Sequence, residues 1–299
     1  QRLIFMFNRI KAIILRWVYR LISARAWRGY RSDDNYSVLQ VPTSAGHLAL
    51  RMYAGDPGAD KPLIIYFHGG GWVIGDLDSH HPCCQSLSAH TGCTVVSLDY
   101  RLAPEHPYPA AHDDALEGTR WIAKHLDELG PNNGKLILAG DSAGANLATC
   151  TCLALEEAER TLTAGQLLIY PTTDHYSTPY ASSIEKGAGY ALTTKMMHWF
   201  WDTYVGKAQP GKEVDASVAS RIPARATPLH ADNLATLPST LLVTAENDPI
   251  RDEGIAYADK LRANGVDLHY GHFAEAEHGF ACTEGQTPDF RQFMRNVNN

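Results

Sequence analysis

The chain has 299 residues, which is enough for a large buried core. Because α/β sheets of this size commonly form one domain, we expect a single domain over residues 1–299. With 44% hydrophobic and 20% charged residues, the composition is that of a globular protein and excludes a disordered, collagen-like or coiled-coil chain. Residues 1–32 hold eight Lys and Arg and no acid, so the net charge of the remaining residues is near −15. An acidic body argues against a nucleic-acid partner, because phosphate binding depends on Lys and Arg.

The N-terminal segment carries large apolar side chains at the spacing of a helix. These residues are Leu3, Met6, Phe7, Ile10, Ile14, Trp17 and Leu21. Basic residues interrupt each apolar run well before the roughly 18 residues that are needed to cross a bilayer, so we predict no transmembrane helix here. A basic amphipathic helix of this kind can lie on an anionic membrane surface, or it can cover part of the acidic body of the protein.

From residue 63 onward, short β-rich runs alternate with helical patterns, which is typical of a mostly parallel sheet with helices on both faces. Strands are predicted at 63–67, 95–98, 136–139, 167–170, 241–245 and 268–273. Helices are predicted at 113–129, 143–159, 251–264 and 288–297. The stretch from about 171 to 226 contains no strand pattern, and such insertions usually lie above the carboxyl ends of the strands, where open α/β sheets bind ligands.

A Gly-x-Ser-x-Gly motif, Gly140-Asp141-Ser142-Ala143-Gly144, follows a predicted strand and opens a predicted helix. This strand, turn and helix context is the one that a nucleophile elbow requires. The small flanking residues allow a sharp turn, which exposes the Ser142 hydroxyl beside the unpaired N–H groups of a helix N-terminus. The motif therefore predicts a nucleophilic serine.

A second motif, His68-Gly69-Gly70-Gly71-Trp72, follows the strand predicted at 63–67. Acyl transfer builds negative charge on a carbonyl oxygen, and backbone N–H groups already aimed at that oxygen stabilise it. A nucleotide-phosphate loop is the alternative, but position 74 is not glycine, and the later segment 130–135 is one residue too short for a P-loop. We therefore interpret the glycines as an oxyanion loop.

A nucleophilic serine needs a histidine as its base. Six of the 14 histidines follow Ser142, and in the Ser, acid, His chain order of this motif the histidine comes last, beyond the final strand. His269 and His272 fall inside the last predicted strand, whereas His278 follows it. We predict His278 as the base.

The base in turn needs an acid that orients it. Asp248 comes directly after the strand predicted at 241–245 and precedes Pro249, which suits a rigidly held carboxylate. Asp252 is the alternative, but it falls in the first turn of the next predicted helix, where an acid complements the helix dipole. We predict Asp248 as the orienting acid.

Taken in order, these motifs resemble those of the bacterial hormone-sensitive-lipase family of esterases, and the resemblance covers nearly the whole chain. The matching segments are His68-Gly69-Gly70-Gly71-Trp72, Asp99-Tyr100-Arg101-Leu102-Ala103-Pro104-Glu105, Tyr108-Pro109-Ala110, Gly140-Asp141-Ser142-Ala143-Gly144, Asp248-Pro249-Ile250-Arg251-Asp252-Glu253-Gly254 and His278-Gly279-Phe280. The resemblance implies an α/β-hydrolase fold with a helical cap built from about 1–40 and about 175–225.

The resemblance also implies a carboxylesterase that needs no cofactor and cleaves short- to medium-chain acyl esters through an acyl-enzyme. In that scheme Ser142 is the nucleophile, His278 the acid and base, and Asp248 the orienting acid. The oxyanion donors are the N–H groups of Gly70, Gly71 and Ala143, and His68 braces the glycine loop.

Aromatic residues are candidates for the substrate pocket, with a place in the core as the alternative. Trp72 and Tyr204 are predicted to contact the substrate. Further candidates are Tyr170, Tyr190, Trp199 and Trp201.

Several potential metal ligands, Asp78, His80, His81, Cys83 and Cys84, are grouped in the sequence. No paired Cys-x-x-Cys motif supports zinc here, and the resembling family has no metal at this point, so we expect no metal ion. Six cysteines are too sparse for a disulfide framework, so we expect free thiols and a cytoplasmic protein.

Other functions are compatible with the same motifs. The site can act on amides or carbamates, and the family resemblance extends to plant gibberellin receptors, which bind a hormone in this pocket but have lost the catalytic histidine. Because His278 is retained, an enzyme acting on a small-molecule ester is favoured. For the N-terminal helix we expect a role in the cap and keep membrane-surface contact as the alternative; a homodimer is also compatible with the sequence.

Overall fold

The computed structural model describes residues 2–28, 35–58, 60–205, 224–282 and 287–297. It contains an eight-stranded sheet of order β1-β2-β4-β3-β5-β6-β7-β8. Strand β2 runs antiparallel to its neighbours β1 and β4, and the pairs from β4 to β8 are parallel. The strands are β1 Ser37–Thr43, β2 Gly46–Tyr53, β3 Leu63–Phe67, β4 Val95–Leu98, β5 Leu136–Asp141, β6 Thr163–Ile169, β7 Ser239–Asn247 and β8 Leu268–Glu277.

The helices connect these strands and cover the sheet. They are α1 Arg2–Ala26, α2 His81–Thr91, α3 Ala110–Lys124, α4 Ala143–Ala154, α5 Glu157–Arg160, α6 Ala181–Glu185, α7 Thr194–Tyr204, α8 Arg251–Ala263 and α9 Pro288–Val297. In the part of the chain that the structure describes, no helix combines the length and apolar character needed to cross a bilayer.

The central strands are buried on both faces, as the uninterrupted apolar sequence of β3 predicts. Because successive side chains point to opposite faces, Leu63 and Ile65 belong to one core, whereas Ile64 and Tyr66 belong to the other. Helices α3, α4 and α8 supply buried residues to the first core, and α2 and α9 supply them to the second. The prediction of a mostly parallel sheet flanked by helices is therefore confirmed.

Some predicted boundaries differ from the observed ones. The helix predicted at 143–159 is divided into α4 and α5, because the chain is extended at Leu155 and Glu156. The cap segment predicted at about 1–40 reaches into β1, which begins at Ser37 and belongs to the sheet. In the second cap segment, residues 206–223 lie outside the described residues, and the rest contains α6 and α7.

The sheet order places two loops side by side at the carboxyl edge. From β3 the chain crosses to β4 on one side, and β5 lies on the other side of β3. This is a topological switch point, where open α/β sheets form their ligand clefts. The glycine loop follows β3 and the serine turn follows β5, so both motifs border this cleft.

Helix α4 approaches β3 unusually closely at Gly144. A Cβ atom at this position would lie 1.9 Å from the Phe67 carbonyl oxygen, which is fixed in the sheet. We expect Gly144→Ala to lower the free energy of unfolding by about 3 kcal/mol or more, because the helix must shift to relieve the overlap. Urea unfolding measures the change.

Gly165→Ala is the matched control, because a Cβ atom there would meet its nearest neighbour, the Ser239 carbonyl oxygen, at 3.3 Å. We expect a change below about 1 kcal/mol for this variant. Equal stability of the two variants would contradict the close approach of α4 to β3.

Candidate active site

Ser142 stands at the turn between β5 and α4. Its backbone has φ 55° and ψ −119°, a conformation that is strained for a residue with a side chain. Three backbone hydrogen bonds hold it there. The Ser142 N–H donates to the Ile169 carbonyl at 2.8 Å, and the Ser142 carbonyl accepts from the Asn146 N–H at 3.1 Å and from the Thr172 N–H at 3.3 Å. The predicted elbow is therefore present, with the serine side chain at the carboxyl edge of the sheet.

His278 and Asp248 reach Ser142 from two neighbouring strands. His278 follows the end of β8, and its Nε2 atom lies 3.0 Å from Ser142 Oγ. Its Nδ1 atom lies 2.7 Å from Oδ2 of Asp248, which follows the end of β7 and is 1% exposed. The other Asp248 oxygen accepts a hydrogen bond of 2.9 Å from the Ile250 N–H. The structure thus brings together the three residues that were predicted as a triad.

Asp141 ties the glycine loop to the serine turn. Its Oδ1 atom accepts hydrogen bonds from the Gly69 N–H at 2.9 Å and from the Tyr66 hydroxyl at 2.8 Å. Burial alone raises the pKa of this carboxyl, but the adjacent His80 and the Tyr66 hydrogen bond more than offset burial and hold the pKa below its ordinary value. Asp141 is therefore an ionised acceptor directly beneath the site.

The glycine loop brings backbone N–H groups toward Ser142. Gly71 has φ 59°, and a Cβ atom there would lie 2.3 Å from the Phe200 ring, so this turn excludes any side chain. Among the described residues, the N–H groups of Gly70, Gly71 and Ala143 have no protein acceptor. Gly70 and Gly71 border the same cavity as Ser142, as an oxyanion site requires.

His68 lies beneath this loop, as predicted for a brace. Its ring stacks on Tyr100 with the centroids 4.2 Å apart, and the Tyr100 hydroxyl donates to the His68 carbonyl at 2.6 Å. The ring is fully buried and does not border the cavity.

A cavity of about 200 Å³ opens above Ser142 and His278. Its walls are mainly apolar and come from α1, from α7, from the segment before α7 and from Ile74, which follows the glycine loop. The wall residues are Leu15, Val18, Tyr19, Ile22, Ile74, Ala191, Leu192, Met196, Met197 and Phe200. The two predicted cap segments therefore meet over the serine.

Trp72 and Tyr204 do not line this cavity, which corrects the expectation that they contact the substrate. Trp72 has φ 59°, and its ring stacks on Tyr204 with the centroids 4.4 Å apart. Both side chains are fully buried. Their apolar area stabilises the packing of α7 against the loop instead.

The other aromatic candidates also lie outside the lining. Tyr170 is buried against His278, with the ring centroids 4.6 Å apart, and Trp201 is buried against Trp72. The Lys11 ammonium lies 4.0 Å from the Trp199 ring centroid, and the Lys186 ammonium lies 5.8 Å from the Tyr190 ring centroid.

The sequence prediction missed the actual wall residues. Leu15, Val18, Tyr19 and Ile22 recur at helical spacing and form a second apolar face of α1. In the sequence this face is less prominent than the longer stripe at Ile10, Ile14 and Trp17. On α7, Met197 and Phe200 are also at helical spacing, and both line the cavity.

The structure does not bring the potential metal ligands that are grouped in the sequence together at one site. Asp78 pairs with Arg51 at 2.7 Å, and His81 Nδ1 lies 2.9 Å from the Tyr53 hydroxyl. Only His80 joins a compact group, with Asp141 and Cys282, in which the potential ligand atoms lie within 4.8 Å of one another.

This group has hydrogen-bonding partners already. Cys83 Sγ lies 3.0 Å from Cys282 Sγ, and the Tyr66 hydroxyl lies 3.0 Å from that same sulfur. Burial raises the pKa of the Cys282 thiol, which disfavours the thiolate that a metal ion requires. We interpret the cluster as structural.

Comparisons with known proteins agree with this arrangement. A family described as the alpha/beta hydrolase fold matches residues 64–282. The carboxylic ester hydrolase LipN of Mycobacterium tuberculosis is 36% identical over 247 residues, which cover 81% of this chain and 63% of LipN. An ethyl acetate hydrolase of Pseudomonas putida is 35% identical over 255 residues, which cover 83% of this chain and 76% of that protein.

Solved structures are similar over almost the whole chain. An esterase of Pyrobaculum calidifontis has a TM-score of 0.85 at 33% identity, covering 96% of this chain and 91% of that one. The thermostable carboxylesterase EstE1, from a metagenomic library, has a TM-score of 0.84 at 34% identity, covering 97% and 95%. The chain belongs to the α/β-hydrolase-fold family. Its resemblance to the hormone-sensitive-lipase-like carboxylesterases is confirmed by these relatives.

The two candidate acids can be separated by mutation. We expect Asp248→Asn to lower kcat by on the order of 10⁴-fold, because the amide no longer holds His278 in the required orientation and tautomer. Steady-state hydrolysis of a nitrophenyl ester measures the loss.

Asp252→Asn is the matched control, because this carboxylate accepts from the Ser182 N–H at 2.8 Å and from Arg251 at 2.7 Å, away from His278. We expect it to act on stability and to change kcat little. A larger loss of kcat in Asp252→Asn, with both variants folded, would reverse the assignment of the two acids.

Proposed function

We propose that this chain is a carboxylic ester hydrolase that acts through an acyl-enzyme on Ser142. The observation that carries the proposal is the hydrogen-bonded series of Ser142, His278 and Asp248 at the base of an apolar cavity. In the first step, His278 Nε2 accepts the Ser142 proton while Oγ attacks the ester carbonyl carbon. Asp248 stabilises the imidazolium that forms.

The negative charge that develops on the carbonyl oxygen is stabilised by the N–H groups of Gly70, Gly71 and Ala143. When the carbon–oxygen bond of the ester breaks, His278 gives its proton to the leaving alcohol. A water molecule then enters, His278 takes one of its protons, and hydroxide adds to the acyl carbon. Collapse of this second adduct releases the carboxylic acid and returns the proton to Ser142.

The cavity supports short- to medium-chain, uncharged acyl groups as the substrate class. Its volume of about 200 Å³ is bounded by α1 and α7, and its polar groups are concentrated at the base. Among the described wall residues no Lys or Arg is present to neutralise an acidic substrate. Apolar walls of this kind favour the acyl chain over water.

Two alternative functions are less well supported. Amides and carbamates share the first chemical step, but the similar proteins named above are ester hydrolases by name. A hormone-binding pocket does not need a base at Ser142, whereas His278 lies 3.0 Å from Oγ.

We also propose a cytoplasmic location, because all six cysteines are free thiols.

We expect Ser142→Ala to lower kcat by on the order of 10⁶-fold and to abolish labelling by an organophosphate, because the substitution removes the hydroxyl that lies 3.0 Å from His278 Nε2. Mass spectrometry of the labelled protein and ester hydrolysis measure the two effects. Ser183→Ala, whose hydroxyl only donates to the Tyr180 carbonyl, is the control and should retain both. Labelling that persists in Ser142→Ala would refute the assignment.

Activity is expected to rise with pH along a single limb, because His278 must be neutral to accept the Ser142 proton. Two other buried histidines do not contribute to this limb, since burial lowers the pKa of His68 to about 4 and that of His112 to about 3. Both rings are therefore neutral at every pH well above these two values.

The profile of kcat/KM for a neutral ester measures this limb. Below the ordinary histidine range, His68 and His112 bind protons in the unfolded chain but not in the folded one, where their pKa values are lowered. We therefore expect the free energy of unfolding to decrease as the pH falls toward these lowered values. Activity that falls as the pH rises toward neutrality would contradict His278 as the base.

A further inference from the structure

Helix α1 has two apolar faces, and only one of them packs on the protein. The inner face places Leu15, Val18 and Tyr19 in the cavity wall. Hydrogen bonds fix this orientation, because Arg16 donates to the Val73 carbonyl at 2.7 Å and Ser23 donates to the Ser79 carbonyl at 2.5 Å. The helix is thus seated on the body, and its opposite face points outward.

The outer face forms a continuous stripe of large apolar side chains, each between 51% and 67% exposed. The outer stripe consists of Met6, Phe7, Ile10, Ile13, Ile14, Trp17 and Leu21. At 1.5 Å per residue it extends for about 20 Å along the helix. Elsewhere among the described residues, large exposed apolar side chains are scattered singly, at Val38, Ile184 and Met196.

A contiguous exposed apolar surface of this kind marks an interaction site rather than ordinary surface composition. The stripe also reaches the cavity mouth. Ile22, one residue beyond Leu21, lines the cavity and is 53% exposed, and Met196 on the opposite side of the cavity is 36% exposed. The same apolar surface therefore borders the entrance to Ser142.

The charges of α1 indicate which partner this surface fits. The helix contains Arg and Lys but no Asp or Glu, whereas the rest of the chain is strongly acidic. The side chains of Arg9 and Arg20 flank the stripe and stay 57% and 56% exposed although they pair with Glu105 and Asp76. Pairing two copies through this face would bring like charges together, whereas an anionic lipid surface complements both the cations and the stripe.

We propose that α1 binds the surface of membranes that contain anionic phospholipids, with the outer stripe inserted at the headgroup boundary. The cavity mouth then faces the lipid phase, so that acyl esters dissolved in the membrane reach Ser142 without crossing bulk water. This route of entry rests on the proposed esterase function, whereas the docking of α1 does not.

The test is co-sedimentation of the full chain with vesicles of phosphatidylcholine alone and of phosphatidylcholine mixed with phosphatidylserine. Binding to the mixed vesicles is expected, and it should weaken as the salt concentration rises. Phe7→Ser and Trp17→Ser should each lower the partition coefficient by about tenfold or more, because each removes a large apolar group from the interface. Arg9→Gln combined with Arg20→Gln should also lower the partition coefficient on the mixed vesicles and should weaken its dependence on salt.

Ile184→Ser is the matched control, because Ile184 is 80% exposed but lies on α6, away from the stripe. It should bind vesicles as the unsubstituted chain does. All the variants should keep their kcat on a water-soluble ester, since none of the substituted residues lines the cavity. Light scattering of the unsubstituted chain without lipid reports its oligomeric state.

The outcomes separate the candidate occupants. Absence of binding to anionic vesicles, or binding that Phe7→Ser and Trp17→Ser leave unchanged, overturns the proposal. A dimer that these two substitutions dissociate, without vesicle binding, assigns the stripe to a second copy. Ser142→Ala should still bind vesicles, because docking of α1 does not depend on the reaction. If the unsubstituted chain binds vesicles but hydrolyses no ester, the proposed esterase function is refuted and the docking proposal stands.

Discussion

One buried carboxylate, that of Asp141, joins the two loops from which the site is built. Its Oδ1 atom accepts hydrogen bonds from the Gly69 N–H and the Tyr66 hydroxyl, and the next residue along the chain is Ser142. A buried charge is costly unless such partners satisfy it, and here the partners are the glycine loop and β3. The spacing between the glycine loop, which carries the proposed oxyanion donors, and the serine therefore depends on a short, ionic hydrogen-bond bridge as well as on the loops themselves.

The strand order makes this bridge effective. Because β3 and β5 are hydrogen-bonded neighbours, the loops that follow them begin only one strand spacing apart. Asp248 and His278 likewise follow β7 and β8, which are neighbours in the sheet. Each proposed catalytic group thus stands within a few residues of a rigid strand end, which gives the precision that a preorganised site needs.

The sequence was informative wherever function depends on strand ends and turn chemistry. The elbow at Ser142, the glycine loop and the ends of β7 and β8 could be located because small residues and apolar runs mark them directly. The direction of individual side chains could not be predicted in this way. Trp72 is buried against Tyr204, a residue distant in the sequence. Which face of α1 packs inward likewise depends on distant partners, such as Val73 and Ser79.

Strands β1 and β2 were missed for a related reason. They form the antiparallel edge of the sheet, so β1 is mostly exposed and lacks the continuous apolar sequence of β3.

The walls of the cavity and the reacting groups at its base come from separate parts of the chain. Leu15 and Val18 on α1, together with Met197 and Phe200 on α7, bound the cavity, but none of them forms part of the parallel sheet. Natural variation and protein engineering can therefore reshape the range of accepted substrates by altering two peripheral helices, while the residues that perform the chemistry keep their framework unchanged.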